Sequence, residues 1–447
     1  MACDQIAAAH PDPRGWTNWA GNQRARPGRV AVPRSTDELA EVIRTAAAAG
    51  SRVRPIGSGH SFTPIGVPTA VQLRLDRLAG IVHADAETGL VTVRGGTRLR
   101  ELNRGLAALG LAMTNLGDIE EQTIAGALAT GTHGTGAGFG GLATQIRGLE
   151  LMLADGSLRR CGPEENADLF DLARVGLGAL GVVTTVTLQT ERLFALTARE
   201  GSGRLDEVMA GFDEHADGTD HFEFYWFPHT RSVLTKHNTR HPLDSTQLAP
   251  LSRARAWWDD EFLSNGVFGA TVALGNRVPR LVPGLANLAA RALSPRTYTD
   301  LSYRVFTSAR RVRFVEMEYA VPRESGMAVL GELVEVVARS GWRISFPVEV
   351  RVAAADEVPL STGYGRSNVY IAIHTAPGAP DQRAYFAAFE RIATAAGGRP
   401  HWGKMHGLGA ADLRERYPRF DDFVAMRDRV DPGRLFGNDH LAHLLGG

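Results

Sequence analysis

Two glycines impose the tightest constraint on this chain, because the segment Arg54-Pro55-Ile56-Gly57-Ser58-Gly59-His60-Ser61-Phe62-Thr63-Pro64 continues neither a strand nor a helix. Gly57 and Gly59 permit left-handed backbone angles and let a bulky group lie against the main chain. His60 is therefore presented at the tip of a loop. Residues 29–33 read as a short strand. Ser35-Thr36-Asp37-Glu38 spells a capping box, the Ser35 oxygen and Glu38 carboxylate closing the first free amides of a helix. Leu39, Val42, Ile43, Ala46 and Ala47 follow at helical spacing, and Gly50 stops the helix. Residues 52–56 are strand again and deliver the loop, which makes a compact βαβ-like unit.

Two more glycine-rich turns follow, Gly131-Thr132-His133-Gly134-Thr135-Gly136 and Gly176-Leu177-Gly178-Ala179-Leu180-Gly181-Val182-Val183. Val71, Leu73 and Leu75 alternate with Gln72 and Arg74, and Leu90-Val91-Thr92-Val93 follows a turn, so two half-buried strands are expected. Residues 97–109 read as a helix, Leu149, Leu151 and Leu153 as a strand, and 182–189 as a β-rich run; residues 27–193 form one α+β domain. Residues 136–141 and 176–181 both spell G-x-G-x-x-G. That fingerprint needs a preceding strand, a helix opening on it and a later acidic residue. Both copies run from loop toward strand, and the dinucleotide reading is rejected.

The 447 residues suffice for two domains. Lys+Arg and Asp+Glu both total 49, so no general field draws in nucleic acid or an anionic membrane, and a small-molecule partner is expected. The two cysteines, Cys3 and Cys161, imply no disulfide framework and fit a reducing compartment. Residues 1–13 lack the pattern of a signal peptide, and apolar stretches such as 266–275 fall short of the roughly 18 residues a membrane span needs. The expectation is a cytoplasmic protein without a membrane span.

Past residue 193, longer alternating strands take over. Phe222, Phe224 and Trp226 alternate with Glu223 and Tyr225; Val315, Met317, Tyr319 and Val321 alternate with Glu316, Glu318 and Ala320. Residues 240–300 read as short helices broken at Pro242, Pro250, Pro279 and Pro283. Residues 343–352 read as a strand with Ile344, Phe346, Val348, Val350 and Val352 inward, and Glu349 and Arg351 side by side on the other face. Such a pair is most often solvated and contributes little. In residues 368–374, His374 shares a face with Tyr370. His401 and His406 are close in sequence, but without a Cys cluster or H-E-x-x-H spacing no metal site is expected. Residues 412–447 read as a helix and a tail folding back onto the first domain.

The three glycine turns, in this order and spacing, resemble the FAD-binding domain of the vanillyl-alcohol-oxidase-like flavoproteins. Gly57-Ser58-Gly59-His60-Ser61 resembles the subgroup whose histidine bonds covalently to the 8α-methyl of the flavin. Glu349-x-Arg351, His374, His401-Trp402-Gly403-Lys404, Tyr417-Pro418 and Asp431-Pro432-Gly433, with Phe436 and Asn438, resemble the C-terminal domain of the aldonolactone oxidases. Alditol oxidases share that plan. The resemblance covers residues 16–235 and 311–445 and leaves 240–300 unmatched. It implies a two-domain α+β FAD-linked oxidase fold: a PCMH-type FAD-binding domain over 16–193, a substrate (cap) domain with an antiparallel sheet over 194–410, and a segment, 411–447, packing back on the first.

The resemblance also implies a cofactor site. FAD would be attached at His60 and flanked by Arg54, Pro55, Gly57, Ser58, Gly59 and Ser61. Gly117, Asp118, Gln122, Thr123 and Gly126 would contribute from the next loop, with Gly131, Thr132, His133, Gly134 and Gly136 from the second turn. Gly181, Val182, Val183, His401 and Lys404 complete the set. Oxidising a secondary alcohol needs a hydride acceptor, a group that takes the hydroxyl proton, and dipoles that orient the carbon. The resemblance assigns orientation to Glu349 and Arg351, contact with the substrate oxygen or the reduced flavin to Lys404, and a further polar contact to His374. Gln122 and Thr123 would touch substrate or flavin.

Plant-type galactonolactone dehydrogenases lack a histidine at the place of His60, so the chain resembles the covalent branch; the absence of cysteine between His60 and Cys161 argues against a second covalent bond. Gly117 aligns with a site where a small residue admits oxygen, which implies O2 as acceptor and hydrogen peroxide as product. Rival readings are an alditol or other carbohydrate oxidase, a flavin- or sugar-binding protein without turnover, and a nicotinamide-dependent dehydrogenase.

Overall fold

The computed structural model describes residues 15–252, 255, 266, 268–292, 294–308 and 310–446. Ser35 caps the helix Thr36–Ala48, its hydroxyl accepting the Glu38 N–H at 3.1 Å. The expected reciprocal bond is displaced: the Glu38 carboxylate accepts the Arg34 N–H at 2.7 Å, one residue before the cap. Buried Leu39, Val42 and Ile43 pack this helix onto a parallel sheet ordered Arg29–Ala31, Val71–Arg74, Val53–Ile56. Val71–Arg74 is the central strand and is not half-buried as its alternation suggests; even Gln72 is buried. Beyond Ile56, Gly57 comes so close to the N-terminus of the helix Ile124–Ala129 that a Cβ there would lie 2.5 Å from Thr123 Oγ1. That close approach is why the loop needs glycine. Gly59 adopts φ +72°, turning His60 back toward the protein.

A second, antiparallel sheet runs in the order Leu158–Cys161, Ile146–Met152, Val182–Gln189, Leu90–Arg94, Ile81–Asp85. The 176–181 stretch leads straight into Val182–Gln189, and the 136–141 stretch passes through a single 3-10 turn, Leu142–Gln145, before Ile146–Met152; neither opens an α-helix. The segment 410–446 holds three helices, Ala410–Arg416, Phe420–Val430 and Asp439–Leu445, where the sequence suggests one helix and a tail. Their Leu413, Tyr417, Phe420, Phe423, Leu441 and Leu444 share one core with Leu149 and Leu151 of the second sheet. Cys161 is buried here, its thiol pushed up to about 12 by burial; Cys3 lies outside the described residues.

The third sheet has eight antiparallel strands, in the order Arg296–Leu301, Phe194–Arg204, Ser232–Pro242, His221–Trp226, Val348–Ala353, Asn368–Thr375, Val315–Pro322, Arg399–Pro400. Its apolar face, with Phe222, Phe224, Trp226, Met317, Val350 and Ile371, packs with residues of the helices Leu205–Ala210, Gly326–Ser340 and Gln382–Ala395. Within 240–300 the helices Phe268–Arg277 and Val282–Ala292 form as expected, but Arg296–Leu301 joins the sheet as its edge. The strand expected over 343–352 begins only at Val348. Pro347 has no N–H for a ladder, and the Ile344 N–H is already taken by His229 Nε2 at 3.1 Å. Among the described residues no helix is long and apolar enough to cross a membrane.

Candidate active site

The polar face of the eight-stranded sheet is where charge collects, because strand register sets side chains opposite one another. Glu223 faces Arg351 and Tyr225 faces Glu349 across one strand pair, and Glu316 faces His374 across another. Glu349 and Arg351 are therefore not a solvated surface pair; both are buried. Together with Glu318 and Lys404, these groups line a cavity of about 140 Å³ whose other wall is Trp19, His60, Ser61, Gly117, Asp118, Gln122, Thr132, His133 and His401. Two main-chain contacts hold the walls together: the Phe62 N–H donates to the Gly403 carbonyl at 2.7 Å, and the Gly136 N–H to the Val352 carbonyl at 2.8 Å.

Arg351 is the hub of the charges. Its Nη2 lies 2.5 Å from Glu349 Oε1 and 3.7 Å from Asp118, and its Nε donates to Glu223 at 3.1 Å. Asp118 also pairs with Arg310 at 2.7 Å, and Glu223 with Lys236 at 3.4 Å. Burial works against the Asp118 charge, but Arg310 and Arg351 hold its carboxyl well below the usual range. Glu349 lies nearest to Arg351 but, unlike Asp118 and Glu223, forms no ion pair with a second cation among the described residues. Burial pushes it up to about 7 against the pull of that guanidinium, helped by the neighbouring Asp118 and Glu223 charges. The Tyr225 hydroxyl donates to Glu349 Oε1 at 2.6 Å.

Lys404 and His374 meet at Glu316. The Lys404 ammonium lies 2.5 Å from Glu316 Oε2; burial opposes its charge, yet Glu316 and Glu318 raise its pKa, so it stays cationic. His374 Nδ1 lies 3.1 Å from the Pro347 carbonyl, an acceptor only, so this nitrogen carries the proton. Burial lowers the pKa of His374 and keeps the ring neutral, which leaves a lone pair on Nε2, 3.6 Å from Glu316 Oε1.

The cavity continues along the first domain. Arg54, Pro55, Gly57, Ser58, Gly59, Thr123 and Gly126 line a groove that shares His60, Ser61, Gln122 and Thr130 with the cavity. Gly57, Thr123 and Gly126 also belong to a second stretch that runs past Gly95 and Gly96 to Gly178, Gly181, Val182 and Val183. Side chains at Gly95 and Gly96 would lie 2.2 and 2.1 Å from the Val183 and Leu75 carbonyls. Only glycine fits at these two positions, and the groove and the second stretch, which share Gly57, Thr123 and Gly126, together suit an extended dinucleotide such as FAD. Burial pushes His60 down to about 4, so its ring is neutral; it stacks on Trp19 at 5.5 Å.

Several expected positions do other work. The Arg54 guanidinium is tied to the carbonyls of Leu177, Gly178 and Phe436 at 2.7, 3.0 and 2.8 Å, clamping the third glycine turn and the C-terminal segment. Gly131, Gly134 and Gly136 are not brought to the cavity or groove. A Cβ at Gly134 would meet the Leu116 carbonyl at 2.3 Å, and Gly131 and Gly136 have φ of +75° and +131°, so these three shape the turn that carries Thr132 and His133. Sequence reasoning missed Glu223, Tyr225, Glu316, Glu318, Lys236 and Arg310. The first four were visible as the polar members of alternating strands, but alternation alone does not say whether that face meets water or another domain.

His133 Nε2 lies 3.2 Å from Glu318, and with His401 these make the one described group of three close enough to share a metal ion. His401 Nδ1 accepts the Gly403 N–H at 3.0 Å, so in the neutral ring Nε2 carries the proton and offers no lone pair. Two ligand atoms remain, too few for a closed zinc site. His406 lies elsewhere, 6.3 Å from His440 between ring centroids.

Comparison with known proteins decides what this architecture is. Residues 27–162 match the FAD binding domain family, and residues 186–444 match the D-arabinono-1,4-lactone oxidase family. The chain belongs to the D-arabinono-1,4-lactone oxidase family. It is an FAD-linked oxidoreductase. The L-gulono-1,4-lactone dehydrogenase of Mycobacterium tuberculosis is 43% identical over 431 residues, covering 96% of this chain and 99% of that protein. The L-gulonolactone oxidase of Bos taurus is 32% identical, with 95% and 96% covered, and the alditol oxidase of a Streptomyces species is 33% identical, with 96% and 99% covered. The fold matches cholesterol oxidase from B. sterolicum with a TM-score of 0.82 at 17% identity, over 97% of this chain and 96% of that one.

Proposed function

We propose that this family member oxidises a secondary alcohol of a sugar-derived lactone, of the L-gulono-1,4-lactone or D-arabinono-1,4-lactone type, with FAD held covalently on His60 and O2 as acceptor. Residues 16–193 bind FAD, residues 194–410 supply the substrate face, and 411–447 brace the first domain. One observation carries the reading: the Lys404–Glu316–His374 group and the Glu349–Arg351 pair close over the loop that presents His60. When bound, FAD would supply the hydride acceptor, and reoxidation by O2 would account for hydrogen peroxide as the second product.

The chain's own residues handle the oxygen and the proton. The Lys404 ammonium polarises the carbinol oxygen, and the His374 Nε2 lone pair takes the hydroxyl proton. The imidazolium so formed is stabilised by Glu316, 3.6 Å away. Glu349 and Arg351 hold the substrate's other oxygens, an arrangement a lactone bearing vicinal hydroxyls satisfies. Gly117 keeps the approach to the cavity narrow-walled but open; a Cβ there would lie 3.2 Å from both the His133 carbonyl and Thr132 Cγ2.

Acid precipitation tests the covalent assignment. The yellow chromophore should pellet with the native protein and pass to the supernatant from His60→Ala; colour in the native supernatant would refute the bond. Anaerobic bleaching by a panel of lactones and alditols then identifies the substrate class, and readmitted air should restore the colour with release of peroxide. The proton assignment predicts a pH profile. Because His374 must be neutral to act and burial lowers its pKa, the limb of the kcat/KM profile that His374 contributes should lie below pH 6.5, apart from any step near 7 where Glu349 titrates. His374→Gln should lower the plateau by about 10²–10⁴-fold and remove that acid limb; a limb that persists unchanged assigns the proton to another group.

A further inference from the structure

Whole-chain neutrality conceals one strongly one-sided stretch. From Phe262 to Thr299 the sequence contains four arginines and no aspartate, glutamate or lysine. Within it the helices Phe268–Arg277 and Val282–Ala292, joined through Pro279–Leu281, form a hairpin. Phe268, Val272 and Gly275 of the first helix turn inward, packing near Phe346 and Ser345 at the wall of the substrate cavity. The outward side is apolar where a solvent-facing helix would be polar. Leu274, Val278 and Leu281 are 43%, 42% and 44% exposed, and Leu288 is 64% exposed. These four are half of the large apolar side chains that the described residues leave in water. Arg277, Arg280 and Arg291 are exposed among them, and no described residue forms an ion pair with any of the three. The fourth, Arg296, is held by Glu200 at 2.7 Å.

We propose that this hairpin docks the enzyme on an anionic lipid bilayer, its leucines entering the acyl boundary and its arginines meeting the headgroups. The charge chooses the occupant. A second copy of the chain would bring arginine against arginine, whereas a bilayer carrying acidic lipids complements the arginines and accepts the apolar side chains together. Arginine is suited to this role because its stem lies along apolar surface while the guanidinium stays at the interface. Docked in this way, the enzyme holds the Phe268 side of its cavity against the membrane, so the binding sits beside the site without forming part of it.

Each arginine near an anionic surface tightens binding about fivefold, so the three together contribute roughly 100-fold. The test is co-sedimentation of the flavin-loaded full chain with vesicles of phosphatidylcholine, alone or with about one third phosphatidylglycerol. Binding is expected only to the acidic vesicles and should weaken as salt is raised. The Arg277→Gln/Arg280→Gln/Arg291→Gln variant should lose roughly 100-fold in partitioning with kcat on a soluble substrate unchanged, and Leu274→Ser/Leu288→Ser should also release the protein. No sedimentation with acidic vesicles overturns the proposal. So does binding that survives both variants, or a concentration-dependent dimer that Leu288→Ser abolishes, which would assign the face to a second copy. These readouts need no knowledge of the substrate beyond one that turns over.

Discussion

Lys404→Met is expected to slow reduction of the flavin by substrate by about 10²–10³-fold while leaving the visible spectrum of the resting enzyme unchanged. The ammonium is the cation that the cavity presents beside His374, and Glu316 at 2.5 Å fixes its position. Methionine keeps most of the unbranched stem while removing the ammonium, including its cation–π approach to the Phe62 ring at 5.2 Å. The loss would therefore report charge and hydrogen bonding rather than packing. Anaerobic stopped-flow bleaching measures it directly. A variant that bleaches at the native rate would remove Lys404 from the mechanism, and one that binds no flavin would make it a cofactor residue. Removing the lysine also leaves Glu316 without its cation, so Lys404→Met/Glu316→Gln should recover stability without recovering rate.

Arg351→Met should cost about 3–5 kcal/mol of stability, because it withdraws the guanidinium shared by two buried carboxylates, Glu349 and Glu223, and the half-buried Asp118. The three are not equally exposed to the loss. Asp118 retains Arg310 and Glu223 retains Lys236, but Glu349 keeps only the Tyr225 hydroxyl as a close partner. Glu349 should respond by staying protonated. Since its pKa already stands at about 7 in the native protein, well above the ordinary 4.5, its contribution to stability is present below pH 4.5 and is lost as the pH rises through 7. In Arg351→Met that loss should move to higher pH. Glu349→Gln in the same background removes the charge that has no partner, so the double variant should be less destabilised than the two single losses added together. Thermal unfolding of the four proteins between pH 5 and about 8 completes the cycle; strict additivity would mean that Glu349 does not depend on Arg351.

Much of the framework was legible because local chemistry and tertiary demand agree. Ser35 caps its helix, Gly59 takes a positive φ, and Val182–Gln189 alternates inward and outward as its β-branched residues suggest. Glycine-rich turns announced the channel for the same reason: where a Cβ would come within 2.5 Å of a neighbouring atom, as at Gly57, no other residue is tolerated. Charge placement was harder to read. Glu316 and Glu318 look like the wet side of a strand until Lys404 is seen to meet the first and His133 of the second glycine turn the other, and nothing local encodes those approaches. Arg310 and Asp118 are 192 positions apart, so their pairing depends on how two domains meet. Arg54, beside the flavin loop in sequence, lines the groove as expected, but its place there does not announce that its guanidinium bonds run to the Leu177, Gly178 and Phe436 carbonyls. Strand boundaries failed where a single donor was missing, as at Pro347.

The Arg54 clamp on the Phe436 carbonyl, and the core that Leu413, Phe423 and Leu444 share with the second sheet, have a consequence for how firmly the cofactor is held. The walls of the flavin channel come mainly from residues 54–183, whereas the carbonyl of Phe436 that anchors Arg54 lies 382 positions beyond it along the chain. The channel is therefore braced by late sequence, and a chain whose 439–445 helix is destabilised should fold its sheets yet hold flavin less firmly.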